Sequence, residues 1–300
     1  MRSIRTRKSE PIQIVAYIIL TIISINIIIP FMLLVISSLT DEGTILRTGY
    51  TLFPEKFSLD AYKYLWNTKD FILRGYGITI LITVIGTICS LLLTSFIAYP
   101  LSRKSLPGRY PISFIVFFTI LFNGGLVPTY LLYTQVLGIK NTLFALLVPG
   151  LMMNGFNILI MKTYFATNIP ESIIESAVVD GAGEYRTFFK IIIPLSYPIF
   201  ATIGLFSALG YWNDWFNGLI YLTNYKLFSM QNILNRILLE IQFLSQASST
   251  SSQLDEAASK IPATTVRMAI AVIGFIPIFI AYPFFQNLFV KGITIGAVKG

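Results

Sequence analysis

The chain has 300 residues, of which 55% are hydrophobic and only 12% are charged, and its mean hydropathy is +0.72. Soluble domains carry about a quarter charged residues, so the composition excludes an ordinary soluble enzyme. There is no histidine, and Cys89 is the single cysteine. Histidine-based catalysis, histidine metal sites, disulfide frameworks and thiolate zinc sites are therefore excluded.

Six runs of more than 20 residues contain no charged side chain. Each is long enough for a helix to cross about 30 Å of hydrocarbon, where a central charge costs roughly 2.5–3.5 kcal/mol. The runs predict an all-α integral membrane protein with six transmembrane helices, at about 12–37, 75–99, 110–134, 142–165, 195–221 and 267–290. Residues 1–10 are then an N-terminal tail and residues 11–300 a membrane domain. Four prolines are expected to kink or end helices: Pro128, Pro149, Pro277 and Pro283.

The distribution of basic residues predicts the orientation. An even number of spans places both termini on one side, and an excess of Lys and Arg marks the cytoplasmic side. The side with the termini carries twelve basic and five acidic residues, against ten and nine on the other side. We therefore expect both termini in the cytoplasm. The basic residues lie at span ends rather than in a stripe among aromatics, so the net charge of +8 indicates membrane orientation and not nucleic-acid binding.

Residues 166–194 form the sizeable cytoplasmic connection, and they predict two short helices around a glycine corner. Pro170 and Glu171 suit a first helical turn, and Gly181 stands where a left-handed residue ends a helix. Four apolar residues of the first helix are expected to share one face: Ile173, Ile174, Ala177 and Val178. Such an amphipathic helix is either a connector that rests on lipid or the bundle, or a docking helix for a cytoplasmic partner.

A spacing motif carries a family resemblance. From Glu175 the chain reads Glu-Ser-Ala-Val-Val-Asp-Gly and, after nine more residues, Ile-Ile-Ile-Pro ending at Pro194. This resembles the EAA signature of the membrane subunits of bacterial ATP-binding-cassette (ABC) importers, with Ser176 at the second position and Ile193 in place of leucine. Further similarity to the sugar-importer branch lies at Val127–Tyr130, Leu137–Thr142 and Trp212–Asp214.

Over nearly its whole length the chain is similar to the MalG-type carbohydrate permease subunit of type I importers. The tripeptide Asn123-Gly124-Gly125 resembles the subgroup that takes complex oligosaccharides together with a lipoprotein binding protein. The resemblance implies that the 166–194 segment is a coupling helix that docks an ATPase. The coupling residues that it implies are Glu171, Glu175, Ser176, Ala177, Asp180, Gly181, Ala182 and Gly183.

The resemblance also implies the partners and the compartment. These are a homologous second permease in a heterodimer, two ATPase subunits, an extracytoplasmic solute-binding lipoprotein, and the lipid of a bacterial cytoplasmic membrane. No Gly-Lys-Ser or Gly-Lys-Thr occurs in the sequence, so the chain has no Walker A loop. ATP and Mg are expected on the partner subunits, and we expect no catalytic residue, cofactor or metal on this chain.

A polar and aromatic cluster is a hypothesis for the substrate path. An ionisable residue at membrane depth is a functional candidate, and aromatic faces beside amides suit a sugar. The residues are Trp212, Asn213, Asp214 and Trp215, with Asn154 and Asn157 from the fourth run. The alternatives are an interfacial aromatic belt in which Asp214 packs against the partner permease, and interhelical hydrogen bonding by the asparagines.

The predicted function is import of a sugar, specifically an oligosaccharide, by alternating access without covalent chemistry on this chain. One alternative is the same architecture importing another solute, such as a peptide or a phosphodiester, because a fold does not define its cargo. A more distant alternative is a membrane-embedded enzyme or a secondary transporter. That alternative needs intramembrane acid–base residues or inverted half-sequences, and the sequence contains neither.

Overall fold

The structure is a computed structural model that describes residues 10–67, 69–247 and 263–297. Regular structure within these residues is helical, apart from one isolated antiparallel bridge between Thr40 and Phe57. The all-helical prediction is therefore confirmed. The N-terminal tail predicted over residues 1–10 lies, apart from Glu10, outside the described residues.

The helices follow one another through the chain with short connections. Those of the first half are α1 (Glu10–Ser38), α2 (Glu42–Thr48), α3 (Asp60–Trp66), α4 (Lys69–Ser102), α5 (Arg109–Leu121) and α6 (Leu126–Leu131), which continues as a π-helical turn at Leu132–Val136. Those of the second half are α7 (Phe144–Leu147), α8 (Gly155–Asn168), α9 (Glu171–Val179), α10 (Glu184–Thr187) with a π-helical turn at Phe188–Ile192, α11 (Ile193–Leu195), α12 (Tyr197–Trp212), α13 (Phe216–Tyr221), a 3₁₀ turn at Tyr225–Leu227, α14 (Met230–Ala247) and α15 (Ala263–Ala297).

Two helices in the described part of the chain are long and apolar enough to cross a membrane, Gln13–Ser38 of α1 and Lys69–Ser102. Two further stretches qualify only as bent pairs. Arg109–Leu121 and Leu126–Val136 meet at 112°, and Glu184–Leu195 and Tyr197–Trp212 meet at 83°. Counting each pair as one span gives four, and the apolar helix Thr264–Ile280 is shorter. The count of six remains a prediction.

Three of the predicted spans coincide with interrupted helices. The interruptions lie at residues 122–125, 148–154 and 213–215. Pro149 lies in the second of them, so the expectation that it ends a helix is confirmed, since proline lacks the N–H that would continue one. Pro128 instead stands in the first turn of α6, where proline is tolerated because those N–H groups have no helical partner.

The described residues within 1–69 and 237–276 form one compact unit, in which side chains anchor the segment between α1 and α4. Asp41 Oδ2 accepts a hydrogen bond from Thr44 N at 3.3 Å at the start of α2, and Lys56 Nζ donates to its Oδ1 at 2.9 Å. The Lys56 hydrogen bond lowers the pKa of the Asp41 carboxyl. The Glu42 carboxylate accepts from Thr264 N at 2.9 Å and Thr265 N at 2.8 Å, and so caps α15.

The described residues within 70–236 and 277–300 form the second unit. Its core joins the C-terminal end of α4 to α8, α9, α12 and the π-helical turn after α10, through Ala98, Tyr99, Leu101, Ile158, Met161, Phe165, Ile169, Ile174, Phe188, Ile192, Ile199 and Ile203. Further along α4, Gly86 lies against the ring of Tyr211, where a Cβ atom would overlap the ring. Ser90 Oγ lies 3.2 Å from Ser207 Oγ. The helix pair α4 and α12 is therefore closely packed.

Candidate coupling segment and substrate pocket

The 166–194 segment has the predicted shape of two helices around a glycine corner. Pro170 precedes α9 with extended backbone, and α9 ends at Val179. Gly181 has φ +74°; its N–H donates to Val178 O at 3.0 Å, and Ala182 N donates to Ala177 O at 2.9 Å. This pair of hydrogen bonds is a Schellman motif. The predicted left-handed end of the helix is confirmed.

The predicted apolar face of α9 is buried only in part. Ile174 and Ala177 are buried at 5% and 6% exposure, but Ile173 and Val178 are exposed at 37% and 56%. The helix meets the core along a single narrow ridge of residues three apart, which leaves the flanking positions outside the contact. Val179 beyond them is 87% exposed. Apolar side chains thus remain on the outer surface of α9.

Acidic and small polar residues share that outer surface. Glu171, Glu175, Ser176 and Asp180 are all exposed. Glu171 Oε2 lies 3.5 Å from Lys104 Nζ in an exposed ion pair, a type of contact worth little in water. Glu175 and Asp180 form no ion pair with a described side chain. The outer surface of α9 therefore combines open carboxylates with exposed aliphatic groups, as suits a groove that offers Arg or Lys beside apolar walls.

All three helix interruptions contribute to the wall of one pocket in the second unit, with a volume of about 490 Å³. The lining residues are Asn123, Gly125, Leu126, Thr129, Pro149, Gly150, Leu151, Asp214, Phe216, Asn217 and Tyr221. Irregular backbone is tolerated at membrane depth only where it is buried in protein or lines a cavity that holds water. The convergence of three interruptions therefore marks this pocket as the candidate place for a polar solute.

Asp214 is the residue of the predicted substrate path that lines this pocket. Its Oδ1 accepts a hydrogen bond from Asn217 N at 3.1 Å at the start of α13. Its Oδ2 is buried, and no described residue donates a hydrogen bond to it. One carboxylate oxygen thus stabilises the local backbone, whereas the other remains an acceptor for a further donor.

The other predicted substrate-path residues do not line the pocket, and several have structural contacts. Asn154 Oδ1 accepts from the buried Asn157 N at 3.2 Å and caps α8. Asn213 Nδ2 donates to Leu209 O at 3.0 Å within its own helix. The Trp212 ring packs near Tyr76, with 6.5 Å between the ring centroids. Trp215 is exposed at 42%.

Sequence reasoning missed the side chains that hold the pocket wall in place. Tyr211 Oη donates to Leu147 O at 2.8 Å, and Asn217 Nδ2 donates to Pro149 O at 3.1 Å. The first bond satisfies the carbonyl of the last residue of α7, and the second satisfies a carbonyl in the interruption that follows. A polar residue within an apolar run is the sequence signal for such a role, but the run does not reveal which carbonyl it reaches.

A second missed contact joins the loop before α7 to the end of α13. Asn141 has φ 57°, the positive value that asparagine tolerates best among residues with a side chain. Its Oδ1 accepts from Thr223 N at 2.6 Å and Asn224 N at 3.0 Å, and its own N–H donates to Tyr221 O at 3.1 Å. The Leu137–Thr142 motif therefore contains a residue that fixes the connection around the pocket.

Comparisons with known proteins agree on the class. The chain is 37% identical over 295 residues to the polygalacturonan/rhamnogalacturonan transport system permease protein YtcP of Bacillus subtilis (strain 168), which covers 98% of this chain and 100% of YtcP. It is 38% identical over 273 residues to Protein LplC of the same organism, covering 91% of this chain and 90% of LplC. No protein-family model matches the sequence.

The solved structures give the same result for the fold. A bacterial ABC transporter involved in the import of the acidic polysaccharide alginate contains a chain that matches with a TM-score of 0.77 and 28% identity. The match covers 95% of this chain and 99% of that one. The resemblance to an ABC importer permease is thereby confirmed at the level of the fold.

The chain belongs to the family of sugar ABC transporter permeases. It is a transport subunit of a multi-pass class in the inner membrane, and the family implies an ABC system with ATPase and binding-protein partners. Of the three proteins compared above, YtcP and the alginate transporter are named for the transport of saccharides. The comparisons therefore do not favour the alternative of a non-sugar solute.

Proposed function

We propose that the chain is one half of a permease heterodimer that imports an oligosaccharide by alternating access. A homologous permease would supply the other half, and two ATPase subunits would bind ATP and Mg. ATP-bound closure of the ATPases would favour the outward-facing state, because a ligand shifts a two-state equilibrium by its differential affinity for the two states. The observation that carries the proposal is the exposed acidic and apolar surface of α9 beside the corner at Gly181.

The coupling residues follow from that surface. Glu175, Ser176 and Asp180 are exposed and would contact the ATPase, whereas Ala177 is buried and would hold α9 on the core. Glu175 and Asp180 form no ion pair with described residues. An incoming Arg or Lys would therefore form charge-assisted hydrogen bonds with them without breaking an existing ion pair. The set also contains Glu171, which starts α9, and Gly181, Ala182 and Gly183, which form the corner.

The pocket around Asp214 is the proposed part of the substrate path on this chain. Its wall offers a carboxylate oxygen without a described donor, together with the side chains of Thr129 and Asn217 and the ring of Tyr221. Sugar hydroxyls donate to carboxylates, and the C–H faces of sugar rings pack on aromatic rings. Trp212, Asn213, Trp215, Asn154 and Asn157 would then support the pocket from outside its wall.

The membrane arrangement is proposed from the charges. Both termini and the 166–194 segment would lie in the cytoplasm of a bacterium, and the segment between α1 and α4 would face the binding protein. A lipoprotein is the proposed form of that binding protein, on the strength of the Asn123-Gly124-Gly125 resemblance. Oligosaccharides that contain uronic acid are the first to test, because YtcP and the alginate transporter are named for polymers of that class.

The test is purification of the chain from its native membrane in mild detergent, followed by identification of the proteins that co-elute in fixed ratio. The complex is then assayed for ATP hydrolysis with the binding protein and a panel of neutral and acidic oligosaccharides. We expect a second permease, an ATPase and a rate that rises with at least one oligosaccharide. A chain that elutes alone or as a homo-oligomer contradicts the proposal.

A further inference from the structure

The C-terminal end of α4 contacts both arms of the 166–194 segment. Tyr99 Oη donates a hydrogen bond to Glu184 Oε2 at 3.3 Å, and Arg103 Nη1 donates to the same hydroxyl at 3.3 Å. Immediately after α4, Lys104 lies 3.5 Å from Glu171 at the start of α9. One short stretch of chain therefore touches the first residue of α9 and the first residue of α10.

Tyr99 is well placed to hold these groups because its ring is fixed in the core. The residue is 6% exposed, and its ring centroid lies 5.5 Å from that of Phe188 and 6.3 Å from that of Phe165. Arg103 Cζ lies 6.0 Å from the centroid of the Tyr99 ring, within the distance of a cation–π contact. The hydroxyl thus stands at a fixed point between a cation and a carboxylate.

The helix α4 connects this contact with the wall of the substrate pocket. The helix α4 is unbroken from Lys69 to Ser102, so it transmits a displacement of one end along its length. It packs against α12 at Gly86 and Tyr211, and Tyr211 holds the Leu147 carbonyl at the interruption beside the pocket. The chain itself links the 166–194 segment only to α8 and α12, and α4 is a third element in contact with it.

We propose that Tyr99, Arg103 and Glu184 form a joint that fastens the 166–194 segment to α4, with the Tyr99 hydroxyl as its positioning group. The inference rests on the proposed role of this segment in coupling to an ATPase. The joint makes α4 move with α10 when the ATPases close. The Tyr99 hydroxyl takes no part in docking, because Tyr99 is buried in the core rather than on the outer surface of α9 or α10.

The variant Tyr99→Phe tests the joint because it removes both hydrogen bonds and keeps the ring in the core. In the reconstituted complex, with binding protein and sugar present, we expect the ATPase to co-purify as in the unmodified protein. The number of sugar molecules transported per ATP should fall about three- to tenfold, the scale of one typical net hydrogen bond. Basal ATP hydrolysis should remain within about twofold.

Three further variants make the test specific. Glu184→Gln should reduce the transport ratio in the same way, and the double variant should be no worse than Tyr99→Phe alone, since both changes act on one contact. Tyr197→Phe removes a hydroxyl from a tyrosine that is 66% exposed and should leave the ratio unchanged. Lys104→Gln should also have little effect, because its ion pair with Glu171 is exposed.

The outcomes separate the joint from the proposed function. If no ATPase co-purifies with the unmodified protein, the proposed function fails. If the ATPase binds and the transport ratio of both Tyr99→Phe and Glu184→Gln equals that of the unmodified protein, the joint is overturned. Additive losses in the double variant, or loss of ATPase binding in Tyr99→Phe, also overturn it.

Discussion

The two carboxylate oxygens of Asp214 have different surroundings, and this difference defines what the residue can do. Oδ1 accepts from Asn217 N at 3.1 Å, and an asparagine oxygen can take over that role. Oδ2 is buried and has no donor among the described residues, so it can still accept a hydrogen bond from an incoming group. A single residue thus combines a structural role with a proposed role in binding.

The substitution Asp214→Asn separates these two roles. We expect the variant to keep its expression and stability, because the amide oxygen still caps α13. The KM for uptake should rise on the order of tenfold, because a hydrogen bond from a sugar hydroxyl to a charged acceptor is lost. Uptake kinetics with labelled oligosaccharide measure the effect. The control is Ser24→Ala, whose hydroxyl donates to Leu20 O within α1. Unchanged kinetics in both variants would assign Asp214 to the cap alone.

Glu175 is the residue whose charge is most directly tied to docking. Because the side chain is exposed, Glu175→Lys should leave folding and membrane insertion unchanged. It should reduce uptake at least tenfold and abolish co-purification of the ATPase, since a favourable charge contact becomes a repulsive one. Affinity pull-down and uptake assays check this, with Glu175→Gln expected to lie between the two. Full uptake by Glu175→Lys would contradict the docking surface.

At the scale of the element, the corner after α9 depends on one backbone angle. Gly181 has φ +74°, whereas Gly183 has φ −70°, and an added Cβ would meet no atom within 4 Å at either position. The two glycines therefore differ in backbone conformation and not in available space. Alanine substitutions at the two positions therefore separate the effect of backbone strain from that of steric overlap.

The substitution Gly181→Ala should shift or unwind the end of α9, because a left-handed residue with a side chain costs about 1–2 kcal/mol. We expect uptake to fall several-fold while the protein still inserts into the membrane. Gly183→Ala should transport like the unmodified protein. Uptake rates normalised to membrane content provide the measurement, and equal rates for the two variants would show that the corner is not needed in its present geometry.

The elements also show where sequence reasoning succeeds and where it stops. The charge-free runs predict the apolar stretches, and Gly181 predicts the end of α9, because both signals are local. The interruptions at 122–125 and 213–215 are not visible in the same way, since hydropathy records the environment of a residue and not its backbone angles. Which residues of the apolar face of α9 are buried is also not predictable, because the sequence does not show how wide the contact of this helix with the core is.

At the scale of the whole molecule, composition and the EAA spacing suffice to predict the class of protein. They do not predict contacts between residues that are far apart in the sequence. Tyr211 reaches the Leu147 carbonyl and Asn217 reaches the Pro149 carbonyl, across 64 and 68 residues of chain. Gly86 makes room for the Tyr211 ring across a longer separation of 125 residues. Such contacts arise from tertiary packing, so the sequence alone does not predict which residues form the wall of the pocket.

The central claim is that the 166–194 segment lies in the cytoplasm and is covered by an ATPase. Labelling of single cysteines with a membrane-impermeant maleimide tests it most directly, in a Cys89→Ser background. Val179→Cys probes α9 and Phe53→Cys probes the segment between α1 and α4, at positions that are 87% and 91% exposed.

We expect Phe53→Cys to react in intact cells whether or not the ATPase is present. Val179→Cys should react only after permeabilisation, and its labelling should fall at least fivefold when the ATPase is co-expressed. Reaction of Val179→Cys from outside intact cells, or labelling that does not respond to the ATPase, would contradict the account.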